Sequence, residues 1–158
     1  MPAEAIGGVM LAFEHSGLGH AARGTGWLYP LANLVHVLGA ALVVGAIATF
    51  DIQVLRRPRE APIVSHTAIP LAVVGLVFQA ASGIVLLSAE ASTLVKNPAF
   101  QFKMAMLVFA LANVAVFHRR FGRALKGGVP LDGAKAFAAV SLTSWILVLL
   151  AGRSIAYL

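Results

Sequence analysis

Seven polar side chains lie inside or at the ends of long apolar stretches of this chain and are the first candidates for chemistry: Asn33, His36, His66, Gln79, Lys103, Asn113 and His118. The three imidazoles are the most informative of these, because neutral histidine ligates iron, copper and zinc and exchanges protons near neutral pH. The chain contains no cysteine. That excludes disulfides, iron–sulfur clusters, thiolate zinc sites and haem attached through cysteine, and leaves any ligation to histidine, carboxylate, methionine or amide.

The elements that must position these groups are four apolar stretches, Leu28–Phe50, Ala68–Ala89, Phe102–Phe117 and Ala134–Ala151. Each approaches the ~20 residues that a helix needs to cross a bilayer. The composition agrees, with 59% hydrophobic residues, 11% charged residues and a mean hydropathy of +0.88, well outside the soluble balance. The expected fold is an all-α membrane protein, an up-down bundle of four transmembrane helices over residues 27–158, preceded by an N-terminal interfacial segment over residues 1–26. Ile6, Val9, Met10 and Phe13 recur at helical spacing, which predicts a short amphipathic helix in the interface before a Gly-rich turn at Gly17–Gly26. Met1–Phe13 carries Glu4 and no basic n-region, so the first span is expected to serve as its own insertion signal.

The net charge of +6 does not point to nucleic acid, because the basic residues lie between the apolar stretches rather than on one face or arm. Arg56, Arg57 and Arg59 fill the first connection, and Arg119, Arg120, Arg123, Lys126 and Lys135 fill the third. The positive-inside rule then makes those loops cytoplasmic and places both termini outside, in a multi-pass protein of a bacterial inner membrane. Trp27, Tyr29 and Pro30 open the first span and Asp51 with the arginines closes it. Pro62 and Pro70 bracket the start of the second, setting His66 at a kink or an opening turn. Asn97-Pro98 starts the third, and Lys126–Gly133 forms the loop before the fourth.

Residues meet only at equal depth, and a helix rises about 1.5 Å per residue. His66 and His118 both fall at the cytoplasmic ends of their spans, a level-matched pair able to ligate one metal. A b-type haem is the cofactor such a pair would hold, with His36 serving a second centre or a quinol site. Arg57, Arg119, Arg120 and Arg123 are placed to meet haem propionates, although topology alone also requires arginines there. Gly39, Gly45, Gly75 and Gly83 offer faces for a flat ring or for a neighbouring backbone. His36, about 12 Å below Leu28 by helical rise, matches Gln79 and either Ser144 or Trp145 in depth. Its run Asn33-x-x-His36-x-x-Gly39 reads either as an amide orienting a ligand histidine or as a polar knot tying helices through Gln79 or Ser82. Lys103 reads first as a snorkelling interfacial residue and second as a proton or quinone group.

The motifs Trp27-Leu28-Tyr29-Pro30 and Asn33-Leu34-Val35-His36-Val37-Leu38-Gly39, with Asp51 before basic residues, His66 with Pro70, and Asn97-Pro98 through Asn113 and His118, resemble small uncharacterised four-span bacterial inner-membrane proteins. More distantly the pattern resembles bacterial b-type cytochromes and the membrane domain of copper-resistance proteins. The resemblance implies electron transfer between a quinol or redox partner protein and haem, or copper handling. Copper is disfavoured by thioethers limited to Met1, Met10, Met104 and Met106, with no Met-x-x-Met. A single four-span unit also lacks the inverted halves of a secondary transporter. The alternative to a haem carrier is a cofactor-free accessory subunit in a homo- or hetero-oligomeric membrane complex, its polar residues binding helices or a partner.

Overall fold

The computed structural model describes residues 2–131, 133–155 and 157. Among these the chain forms six helices and no strand: α1 (Pro2–Glu14), α2 (Gly17–Gly24), α3 (Leu28–Arg56), α4 (Ala61–Leu94), α5 (Pro98–Lys126) and α6 (Lys135–Ser154). The last four are long and apolar enough to cross a membrane. They run past the predicted apolar stretches: α4 has 34 residues, about 50 Å of helix, against a hydrocarbon core of about 30 Å.

Local chemistry accounts for the boundaries. Asn97 Oδ1 accepts from the Ala99 and Phe100 amides at 2.9 and 3.1 Å, with Pro98 in the first turn, so α5 begins where Asn-Pro predicts. The Gly17–Gly26 segment is mostly helical rather than a turn. Ser16 Oγ accepts from the Gly19 amide at 3.3 Å, and Gly19 and Ala22 are buried. A Cβ at Gly19 would clash with the Glu14 carbonyl oxygen and come within 2.7 Å of that of Ser88. Tight packing of α2 against α4 thus overrides the poor helix propensity of glycine.

The predicted irregularity near His66 is displaced. α4 is already helical from Ala61 and passes through Pro70, while its non-helical residue is Glu90 (φ −145°, ψ 37°). Intramembrane helices tolerate an internal proline when neighbours compensate the lost bond. At Glu90 the broken ladder is repaired from outside. Arg23 donates to the carbonyls of Ser88 and Ala89 at 3.4 and 3.0 Å, and to that of Glu14 at 2.8 Å. Glu14 Oε2 accepts from the amide and hydroxyl of Ser92 at 2.9 and 2.6 Å. These two bonds hold the Glu14 carboxyl below the usual carboxylate range.

Helix α3 packs on α4 and α6, and α5 packs chiefly on α6. At the crossing of α3 and α4, a Cβ on Gly39 would lie 3.0 Å from the Gly75 carbonyl oxygen, and one on Gly75 would lie 2.8 Å from the Val43 amide. Those glycines seat a neighbouring backbone, whereas Gly45 faces open space. The loops after α3 and after α5 share one end of the bundle, where the Leu131 amide donates to the Pro58 carbonyl at 3.2 Å. Leu131, Val54, Phe117 and Ala138 form the core there. The chain ends Met1 and Leu158, expected outside from the charge pattern, lie beyond the described residues.

Candidate functional site

Two groups of polar side chains occur within the bundle, one in each half. In the half toward Trp27, His36 Nδ1 lies 3.0 Å from Ser82 Oγ. Ser82 Oγ in turn donates to the Phe78 carbonyl, which commits its only proton. His36 Nδ1 is therefore the donor to Ser82, and Nε2 of the neutral ring keeps its lone pair. Gln79 Nε2 donates to the His36 carbonyl at 2.6 Å, and the imidazole packs where a Gly83 side chain would stand, 3.2 Å from a Cβ built there. This is the polar knot through Gln79 and Ser82, made possible by small residues. Asn33, read as a partner of His36, is exposed. Lys103 runs its stem along Gly152, 3.4 Å from a Cβ built there.

The other group surrounds a cavity of about 110 Å³ among α3, α4, α5 and α6. Its walls are mainly apolar, with Phe50, Phe117, Phe137 and Trp145 contributing rings, and Phe50 and Phe117 meeting edge to face at 5.7 Å. Five polar residues border it: Asp51, Asn113, His118, Ser141 and Trp145. Asn113 is committed, donating from Nδ2 to the Phe137 carbonyl at 3.1 Å. His118 Nδ1 lies 3.0 Å from the Val114 carbonyl oxygen. A carbonyl only accepts, so Nδ1 carries the proton and Nε2 is free when the ring is neutral. Asp51 is 3% exposed and Trp145 is 5% exposed, and Ser141 borders the cavity with them. Asp51 Oδ2 and Trp145 Nε1 nevertheless have no hydrogen-bond partner. Buried polar atoms are nearly always paired, so two orphans on one cavity mark it out. Val73 on α4 and Leu111 on α5 also line the cavity and are 54% and 37% exposed. They mark a mouth between α4 and α5, two helices that touch only sparingly.

His66 is exposed and does not border this cavity. The level-matched pair is thus not gathered around one space: His118, itself exposed, stands at the rim of the cavity, and His66 lies on the outer face of α4. Arg119 and Arg120 are exposed, and Arg57, also exposed, faces Glu60 at 3.4 Å. Among the described residues no three histidine or carboxylate groups cluster as a metal site. Asp51 and Trp145 are the residues that sequence reasoning missed as a site. The available signal was an acidic residue one and a half turns before the first arginine of a span. No family model, curated protein or solved structure matches this chain.

Proposed function

We propose that this protein is a membrane-embedded binding subunit whose cavity among α3, α4, α5 and α6 admits a small lipid-soluble molecule from the bilayer. The observation that carries this reading is the pair of unpartnered buried atoms, Asp51 Oδ2 and Trp145 Nε1, on two residues that border one largely apolar cavity. Leaving a polar atom buried and unpaired costs about 1–3 kcal/mol. An intramembrane carboxyl retained under that penalty is explained by a ligand that pairs with it. The mouth between α4 and α5 gives such a ligand a lateral route. The basic loops after α3 and α5 would face the cytoplasm, in a bacterial inner membrane.

A b-type haem fits the arrangement poorly. His118 offers a free Nε2 and has Arg119 and Arg120 beside it in the sequence, but no second imidazole borders its cavity. A space of about 110 Å³, below the ~150 Å³ that holds a single benzene ring, also leaves no room for a tetrapyrrole. The knot at His36 favours a structural role for the half toward Trp27.

Two measurements test the proposal. Solvent extraction of protein purified from native membranes, read by mass spectrometry, should release a small lipophile in near-stoichiometric amount. The cavity-filling variant Ala72→Phe should retain its fold and lose that molecule; equal recovery from both proteins counts against the proposal. A reduced-minus-oxidised visible spectrum should lack a sharp alpha band, and a stoichiometric low-spin haem signal lost in both His66→Ala and His118→Ala would reinstate the haem carrier.

A further inference from the structure

The chemistry of the cavity narrows what it takes. Trp145 Nε1 can only donate, so its partner must accept. Asp51 Oδ2 accepts when ionised and can donate when protonated, and a group that both accepts and donates satisfies it in either state. A hydroxyl is the smallest organic group that meets both requirements. A carbonyl or ether only accepts, and an ammonium only donates, so each leaves at least one of the two atoms unpaired in some protonation state.

The remainder of the cavity is shaped for a ring. Phe50, Phe117, Phe137 and the indole of Trp145 supply aromatic faces and edges, which prefer offset or edge-on contact with another ring. A closed apolar cavity of ~150 Å³ accommodates benzene. At about 110 Å³ the space is smaller than that but open on one side, so a single ring would enter part-way with its substituents trailing out between Val73 and Leu111. An alkyl tail leaving by that route would remain in lipid.

We infer that the ligand is a hydroxylated aromatic ring of the lipid phase, of the benzoquinol class, whose hydroxyl groups partner Asp51 and Trp145 while its alkyl substituent lies between α4 and α5. Trp145 and Asp51 come from α6 and α3, so the ring binds across the bundle rather than along one helix. Ser141 and His118, the latter with Nε2 free when neutral, line the same cavity. This inference rests on the cavity being a ligand site, and the test separates the two.

Trp27 and Trp145 are the two tryptophans of the chain, so Trp27→Phe leaves an indole reporter inside the site. That variant, in phosphatidylcholine vesicles, is titrated with a short-chain alkyl 1,4-benzoquinol, with its O,O-dimethyl ether and with decanol. The benzoquinol should quench Trp145 saturably and bind at least tenfold more tightly than either comparator. Adding Asp51→Leu should reduce quinol binding at least tenfold and bring quinol and ether to the same affinity. Equal binding of ether or decanol to the Asp51 protein overturns the hydroxylated-ring assignment while leaving a lipid-phase site in place. Absence of saturable quenching by all three overturns both. The comparison of the three compounds on the Asp51 protein decides the matter even if the Asp51→Leu protein does not fold.

Discussion

A carboxyl within a membrane bundle is costly, and Asp51 carries that cost buried, with one oxygen unpaired. If Asp51 is kept for a ligand rather than for the fold, Asp51→Leu should hold or raise thermal stability in detergent, by up to about 1–2 kcal/mol, while abolishing ligand recovery. A loss above about 2 kcal/mol in chemical denaturation would instead make Asp51 a structural residue. Ser82 behaves in the opposite sense. Removing its hydroxyl leaves the His36 Nδ1–H without its acceptor, so Ser82→Ala should cost about 0.5–1.5 kcal/mol with cavity binding intact. Asp51 was legible only as the end of a span, because the arginines that follow it suggest a boundary. Helix α3 continues to Arg56, and that extension keeps Asp51 inside the bundle.

The helices themselves were largely written in hydropathy and punctuation. Four apolar runs became four spans, Asn97-Pro98 opened α5 by side-chain capping, and the equal depth of His36 and Gln79 reappeared as a hydrogen bond. Tertiary packing supplied what composition could not, as in the α2 helix built from a glycine-rich segment and in the repaired break at Glu90. Glycines divide accordingly: Gly75→Val should destabilise by about 1–3 kcal/mol, because the backbone of Val43 stands where its Cβ must go, whereas Gly45→Ala should be neutral within about 0.5 kcal/mol. The clamp from Glu14 to Ser92 is testable by pH. Its carboxyl titrates below the ordinary value of 4.5, so its contribution is fully present above about pH 4.5 and is lost as pH falls through the lowered value. Protection of the Ser92 amide in hydrogen exchange should decline on acidification into that range. Glu14→Gln should remove this pH dependence; a Ser92 amide equally protected on both sides of the transition would exclude the clamp.

At the scale of the whole molecule, the bundle separates two tasks. The half toward Trp27 is knotted by His36, Gln79 and Ser82 around the Gly39–Gly75 crossing, while the half toward the basic loops keeps a cavity open between α4 and α5. The arrangement of α3 against α4 and α6, with α4 and α5 loosely apposed, could not be seen in any single span, and so neither could the cavity. His118 was legible as a candidate, but its pairing with His66 rested on depth alone, and depth does not say which side of a helix faces inward. The most direct test of the account is the emission of Trp145 in the Trp27→Phe protein in lipid vesicles, titrated with an alkyl benzoquinol and repeated in the Ala72→Phe background. The account predicts saturable quenching that the filled cavity abolishes. Quenching that rises linearly with membrane partitioning, to the same degree in both proteins, would contradict it.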